Sequence, residues 1–145
     1  MSWLLDTNVL SELRKGERAN PGVRAWYAGT PAAELYTSVL VLGHGEMGRA
    51  MEVLLAPRVS LAIWDKFPQP GFNSAVLAAA APRADVVIFC LPTVPHAGVL
   101  QELLPLLRRD CLCLSVAKGL DDEGRPVAQI LADMLGDRFA HGVLH

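Results

Sequence analysis

The sequence predicts an α/β fold with a doubly wound parallel sheet and helices on both faces, in three α/β/α layers. Short apolar runs alternate with helical segments from residue 39 onward. Parallel strands need long crossover connections, which are usually helices, and this alternation supplies them. The run DVVIFCLP (85–92) is apolar almost throughout, as expected of a strand that is buried on both faces.

Length and composition favour a globular protein of ordinary domain size. The chain has 145 residues, of which 52% are hydrophobic and 19% charged, so disorder is not expected. The formal net charge of -2 argues against a polybasic nucleic-acid binder. A metal-dependent nuclease stays possible, because its site would itself be acidic.

The cysteines and the apolar runs indicate the cellular compartment of the protein. The three cysteines, at positions 90, 111 and 113, all lie in apolar segments, and an odd number of buried thiols favours a reducing environment. Apolar stretches are interrupted by charges before they reach membrane-spanning length, and no signal peptide is evident. We therefore expect a cytoplasmic protein without a membrane segment.

Hydrophobic periodicity and turn residues predict the individual elements. Asn73 is expected to cap an alanine-rich helix, and Pro105 to bend or shorten the helix that contains it. The predicted strands are 2–6, 39–42, 59–64, 85–92, 111–116 and 141–145. The predicted helices are 7–15, 20–29, 46–55, 74–81, 97–109 and 126–136.

The stretch SVLVLGHGEMGRAMEVLL (38–55) fits two structures. Its valines and leucines begin either a strand that ends at a glycine turn or a helix that carries Glu46. We favour the strand, because the later strands need a first neighbour. Glycines inside a helix also cost about 1 kcal/mol each.

The turn GHGEMG matches the G-x-G-x-x-G pattern of dinucleotide-binding folds at Gly43, Gly45 and Gly48. The first glycine permits a tight turn, the second lets a pyrophosphate approach the backbone, and the third allows close packing of helix on strand. Asp65 ends the next predicted strand, 22 residues after Gly43. A carboxylate there is expected to receive the adenosine ribose hydroxyls, so the pattern predicts a Rossmann-like dinucleotide site.

Four segments resemble NAD(P)-dependent glycerol-3-phosphate dehydrogenase in their order and spacing. They are VLGHGEMGRAM, IWDK, ADVVIFCLPTVPH and LCLSVAKGLDDEGR. The resemblance covers residues 39–145 and implies that family's nucleotide-binding domain, presenting NAD(H) or NADP(H) to dihydroxyacetone phosphate. It implies that Glu46 and Met47 contact the cofactor. It also implies that Lys118 contacts both the cofactor and the substrate phosphate.

Two departures from that family change the expectation. Asp65 would repel a 2′-phosphate and so favours NAD over NADP, whereas the adjacent Lys66 would moderate this preference. The sequence to residue 145 contains no match to that family's helical C-terminal domain with its catalytic lysine base, so we expect this base to be lacking. Without that base we expect cofactor binding but no hydride transfer, and therefore no catalytic residue in this chain.

The first residues resemble a different family. Over residues 1–42, and at most to Glu46, the stretches WLLDTNVLSELRKGERANPGVRAWY and ELYTSVLVLGHGE are similar to the start of PIN-domain ribonucleases, the toxins of VapBC-type pairs. That resemblance implies Mg²⁺ or Mn²⁺ held by Asp6 and Glu46, with RNA as substrate and an antitoxin as partner. Hard divalent cations take oxygen ligands and activate water for attack on a phosphodiester. The later acids of that family have no clear match, since Asp85 precedes a strand-like run.

We therefore expect an extra β-α-α segment over residues 1–38, followed by a dinucleotide-binding domain over 39–145. Five apolar side chains of the first segment need a covering surface and would otherwise favour a homodimer; they are Leu4, Leu5, Val9, Leu10 and Leu13. Three functions stay open: a dinucleotide-binding domain of an oxidoreductase, a metal-dependent ribonuclease, and a non-catalytic hybrid of the two.

Overall fold

The computed structural model describes residues 3–4, 9, 12–31, 35–36 and 38–144. These residues belong to two compact units, Met1–Thr37 and Ser38–His145. Among the described residues, no helix is long and apolar enough to cross a membrane.

The first unit contains a small parallel sheet and a helix. Strand β1 (Trp3–Leu4) pairs in parallel with β2 (Leu35–Tyr36). Helix α1 (Pro21–Gly29) begins after Asn20, whose side chain accepts hydrogen bonds from the backbone N–H groups of Gly22 and Val23. This cap and the proline at the first helical position explain where the predicted second helix begins. Of the predicted helix over 7–15, the structure describes Val9 and residues 12–15.

The second unit is a five-stranded parallel sheet with its crossover helices, as the alternating pattern predicts. Its strands lie in the spatial order β4-β3-β5-β6-β7, and every neighbouring pair is parallel. The strands are β3 (Ser38–Leu42), β4 (Ser60–Trp64), β5 (Val86–Phe89), β6 (Leu112–Ser115) and β7 (His141–Val143). The helices are α2 (Glu46–Leu55), α3 (Leu77–Ala80), α4 (His96–Leu103) and α5 (Val127–Leu135).

Two apolar clusters lie on opposite faces of this sheet and confirm the three-layer prediction. Alternate residues of β3 point to different faces, so Leu40 and Leu42 belong to one cluster while Val39 and Val41 belong to the other. The larger cluster packs against α3, α4 and α5, and it includes both Cys111 and Cys113. The smaller cluster packs against Met51 and Leu55 of α2, among others. Helices therefore cover both faces.

The ambiguous stretch at 38–55 is a strand, a glycine turn and a helix, so the favoured prediction is confirmed. Other details differ from expectation. Asn73 does not cap the alanine-rich helix, which begins only at Leu77 and follows Val76 without a side-chain cap. The hydroxyl of Ser74, which follows Asn73, is hydrogen-bonded to the backbone of Asp65 just after β4. The chain around Ser74 is therefore extended, and the helix begins later in the sequence. Pro105 ends α4 in a 3-10 turn over Leu104–Leu106, as predicted.

A buried carboxylate joins three elements at the edge of the sheet where β3 begins. Asp85 accepts a hydrogen bond from the backbone N–H of Ser38 (3.1 Å) and another from the guanidinium of Arg108 (2.9 Å). The hydrogen bonds that Arg108 donates to Asp110 and Asp85 raise its pKa above the ordinary value. The contacts of Asp85 with Ser38 and Arg108 are structural, and they account for an acidic residue directly before a buried strand.

Candidate functional site

The candidate site lies at the carboxyl end of β3, where the order in which the chain adds strands to the sheet reverses. From β3 the chain crosses to β4 on one side, and from β4 it returns to β5 on the other side of β3. The loops that follow β3 and β5 therefore diverge, which leaves a crevice at the carboxyl ends of these strands. Ligands of open α/β sheets bind at such a point. Gly43 follows β3 there, and Asp65 follows β4.

The three glycines of the turn have distinct structural roles. Gly43 has a φ of +97°, and a Cβ there would lie 2.6 Å from the carbonyl oxygen of Cys90. A Cβ on Gly48 would lie only 1.9 Å from the carbonyl oxygen of Gly43. Gly45 has no atom within 4 Å of such a Cβ. Gly43 and Gly48 thus allow the strand, turn and helix to pack closely, whereas Gly45 leaves open space beside the backbone.

The N-terminus of α2 faces this turn with its donors uncapped. Gly45 is the N-cap residue and supplies no side-chain acceptor. The first backbone N–H groups of a helix have no intrahelical partner and carry a partial positive charge. Glu46 and Met47 are exposed in this first turn. The arrangement suits a bound phosphate group, although the carboxylate of Glu46 works against it.

Asp65 contacts the glycine turn directly. Its Oδ2 atom accepts a hydrogen bond from the backbone N–H of His44 at 2.6 Å, and its Oδ1 atom accepts one from Phe67 at 2.8 Å. Its own backbone N–H donates to the Ser74 hydroxyl at 2.8 Å. A carboxylate has about four acceptor positions, so Asp65 keeps capacity for hydroxyl donors of a ligand. Asp65 thus lies beside the glycine turn, and its role as the ribose acceptor stays a prediction.

His44 joins the turn to two further elements, which the sequence analysis missed. Its Nε2 atom lies 2.7 Å from a carboxylate oxygen of Glu52 in α2. Its ring stacks on Phe72, with the ring centroids 3.7 Å apart. The spacing of eight residues between His44 and Glu52 predicts their contact only weakly. His44 must first be placed in a turn and Glu52 in a helix before the two side chains can be expected to meet. These contacts hold the turn against the segment that follows β4.

The loops after β5 and β6 are joined by buried polar groups. The ring nitrogens of His96 lie 2.8 Å from the Pro92 carbonyl oxygen (Nδ1) and 2.9 Å from the Ser115 hydroxyl (Nε2). A carbonyl can only accept, so Nδ1 carries the proton and Nε2 accepts from Ser115. Burial lowers the pKa of His96, which favours this neutral form. The His96 side chain is fully buried.

Lys118 lies in the loop after β6 and is exposed. Its carbonyl oxygen accepts a hydrogen bond from the hydroxyl of Thr93 at 3.1 Å, and Thr93 is buried in the loop after β5. This bond fixes the backbone at Lys118 and leaves its side chain in solvent. The structure thus places the three glycines in one turn that Asp65 contacts through the backbone N–H of His44, and it connects Lys118 to the neighbouring loop through its backbone.

Cys90 directly follows β5 beside the glycine turn and is half-buried. Burial raises the pKa of its thiol to about 11, so it stays protonated at neutral pH. A protonated thiol is a poor nucleophile, and Cys90 serves as a packing residue.

The predicted metal site involves one described residue. Glu46 lies in the first turn of α2, whereas Asp6 lies outside the described residues. Within the part of the chain that the structure describes, no group of three or more His, Cys, Asp or Glu side chains could hold a metal ion. The pairing of Asp6 with Glu46 on Mg²⁺ or Mn²⁺ therefore stays a prediction.

No protein-family model matches this chain. Individual relatives do match, and they include glycerol-3-phosphate dehydrogenases [NAD(P)+]. The protein from Lawsonia intracellularis is 37% identical over 60 residues, which are 41% of this chain and 17% of that protein. The protein from Glaesserella parasuis is 27% identical over 130 residues and matches 73% of this chain. This chain spans 39% of the Glaesserella protein's length.

Solved structures with the same fold include dehydrogenases and reductases. Glycerol-3-phosphate dehydrogenase from Coxiella burnetii superposes with a TM-score of 0.59 at 19% identity, covering 74% of this chain and 39% of that chain. Pyrroline carboxylate reductase from Plasmodium falciparum, with NADP bound, has a TM-score of 0.58 at 18% identity and covers 74% and 41%. Octopine dehydrogenase in a complex with NADH has a TM-score of 0.57 at 19% identity and covers 74% and 34%. The second unit thus has the doubly wound fold of nucleotide-binding domains, and its sequence is similar to that of NAD(P)-dependent glycerol-3-phosphate dehydrogenases.

Proposed function

We propose that residues 39–145 form a dinucleotide-binding domain that takes NAD(H) or NADP(H), and that the chain is the cofactor-binding part of an oxidoreductase. The observation that carries this proposal is the contact between the glycine turn and Asp65, at the point where the strand order of the sheet reverses. When bound, such a cofactor supplies hydride transfer at its nicotinamide ring. The residues of this chain bind and orient it.

Three features of the turn support a pyrophosphate position. Gly45 leaves space beside the backbone, because no atom lies within 4 Å of where its Cβ would be. The uncapped N-terminus of α2 offers donors and a partial positive charge to an anion. Gly43 and Gly48 permit the tight packing that holds this geometry in place.

The environment of Asp65 supports the ribose position and a preference for NAD. Both carboxylate oxygens are oriented by backbone donors, from His44 and Phe67, so the side chain is held at the rim of the turn. A 2′-phosphate placed on this carboxylate would bring two negative charges together. We therefore favour NAD over NADP, with Lys66 as the group that moderates the choice.

The substrate proposal rests on the similarity to glycerol-3-phosphate dehydrogenases. We propose that the exposed ammonium of Lys118 contacts the cofactor and the phosphate of glycerol 3-phosphate or dihydroxyacetone phosphate. The loop geometry is consistent with this role, because Thr93 fixes the backbone at Lys118 while its side chain stays free to reach a ligand. Dihydroxyacetone phosphate should then bind more tightly in the presence of NADH, and Lys118→Gln should abolish this gain.

The cofactor proposal is tested by titrating the purified chain with NADH and with NADPH, following nucleotide fluorescence. Gly45→Val places a branched side chain in the open space of the turn and should weaken NADH binding at least about tenfold. Because a Cβ at Gly45 meets no other atom, the variant should keep its fold, which thermal melting checks.

Gly29→Val is the matched control, since a Cβ on Gly29 also meets nothing within 4 Å and the residue ends α1 in the first unit. It should leave NADH affinity unchanged. If the unmodified chain binds neither NADH nor NADPH at millimolar concentration, the proposal is wrong. Equal losses in both variants would also count against the turn as the binding site.

A further inference from the structure

An ion pair links the two elements that flank the candidate dinucleotide site. The ammonium of Lys66 lies 3.6 Å from a carboxylate oxygen of Glu102. Lys66 directly follows Asp65 at the end of β4, while Glu102 belongs to α4, which follows β5. Strand β3 lies between β4 and β5 in the sheet, so the pair joins the segments that follow the two strands on either side of β3.

The position of Lys66 next to Asp65 connects this ion pair to the choice between NAD and NADP. If Asp65 receives the adenosine ribose, the lysine that follows it is the nearest cation in sequence to the 2′ position. Lys66 is 58% exposed and Glu102 is 55% exposed, so water and ligands reach both groups. An ammonium on a flexible chain can move from a carboxylate to a phosphate, because both are anionic oxygen acceptors.

We propose that Glu102 is a specificity-determining residue that favours NAD over NADP by holding the ammonium of Lys66. The inference rests on the proposed dinucleotide function and extends it to a residue of α4 that the glycine motif does not include. An NADP 2′-phosphate must compete with Glu102 for Lys66, whereas NAD has no group that needs this cation. Glu102 thus works together with Asp65, which repels the same phosphate directly.

The size of the effect follows from the exposure of the pair. Exposed ion pairs are weak, and the strongest of them correspond to a change of about fivefold in an equilibrium constant. Replacing Glu102 by Gln removes the competing charge and keeps the side-chain length. We expect Glu102→Gln to raise NADPH affinity by about threefold to fivefold and to change NADH affinity by less than about twofold.

The experiment measures dissociation constants of NADH and NADPH for four forms of the full chain: unmodified, Glu102→Gln, Lys66→Gln and the double variant. Such a cycle isolates the coupling between the two side chains. The gain in NADPH affinity from Glu102→Gln should disappear when Lys66 is already Gln. Asp137→Asn is the control, because it makes the same charge change in the exposed turn after α5.

Each result bears on the inference separately from the function. Selective strengthening of NADPH binding that depends on Lys66 supports it. If both dinucleotides bind and Glu102→Gln leaves their ratio unchanged, or shifts it equally in the Lys66→Gln background, the role of Glu102 is refuted while the proposed function stands. Absence of binding by either dinucleotide to the unmodified chain overturns both. A gain as large in Asp137→Asn would identify a general charge effect and also refute the inference.

Discussion

The backbone N–H of His44 donates a hydrogen bond to the Oδ2 atom of Asp65 across 2.6 Å. This bond joins the middle of the glycine turn to the end of the neighbouring strand, over 21 residues of sequence. A hydrogen bond to a charged acceptor stabilises by about 1.5–3 kcal/mol. The position of the carboxylate and the shape of the turn therefore depend on each other, and a change in one is expected to show in the other.

Asp65→Asn should weaken NADH binding by about tenfold and reduce the preference for NADH over NADPH. An amide offers one acceptor oxygen, so the N–H groups of His44 and Phe67 cannot both keep their bonds to this side chain. The lost negative charge also removes the repulsion of a 2′-phosphate. The two dissociation constants measure the effect, and an unchanged NADH-to-NADPH ratio would argue against Asp65 as the ribose acceptor.

Gly48→Ala should destabilise the second unit by about 1–3 kcal/mol or more, whereas Gly45→Ala should cost less than about 1 kcal/mol. A Cβ on Gly48 would lie 1.9 Å from the carbonyl oxygen of Gly43, so the backbone must shift, whereas the Cβ of Gly45 meets open space. Denaturant unfolding monitored by circular dichroism compares the two variants. A larger loss for Gly45→Ala than for Gly48→Ala would contradict the packing described above.

Glu46→Gln should strengthen NADH binding by about twofold to fivefold at low ionic strength. Glu46 places a negative charge in the first turn of α2, where the proposed pyrophosphate also lies, and its removal relieves their repulsion. The gain should shrink as salt is added, because exposed charges are screened. Glu17→Gln in the first unit provides the same substitution at an exposed site and should leave affinity unaltered. Weaker binding by Glu46→Gln would show that this carboxylate makes a favourable contact instead.

Stability should rise with pH across the titration of His96, and His96→Gln should remove this dependence. Burial lowers the pKa of His96 in the folded protein, so between that lowered pKa and the ordinary value of about 6.5 the unfolded chain binds more protons. The contribution is therefore fully present above about pH 6.5 and is lost as the pH falls towards the lowered pKa. At pH 8 the variant should be less stable by about 1–3 kcal/mol, because it loses buried hydrogen bonds to Pro92 and Ser115.

Urea unfolding at several pH values between 5 and 8 measures this dependence. The comparison needs both proteins at each pH, since other groups titrate in the same range. If the free energies of unfolding of the two proteins run parallel across the series, His96 does not titrate between the folded and unfolded states as described.

Much of the fold was predictable because its signals are local. Alternating apolar runs and helical segments predict the parallel sheet, and the glycines at 43, 45 and 48 predict the strand, turn and helix. The start of α3 was misplaced because the cap that Asn73 offers competes with a contact from Ser74 to the end of β4, which no local pattern reveals. The role of His96 was missed for the same reason, since Ser115 lies on another strand.

By itself, the sequence determined the α/β class, the glycine turn and an acid at the end of the next strand. These follow from periodicity, from the backbone freedom of glycine and from spacing along the chain. The tertiary structure decided which polar groups meet: His44 with Glu52 and Phe72, Thr93 with the carbonyl of Lys118, and Lys66 with Glu102. The strand order brings the carboxyl ends of separate strands to one edge, and side chains distant in sequence become neighbours only there.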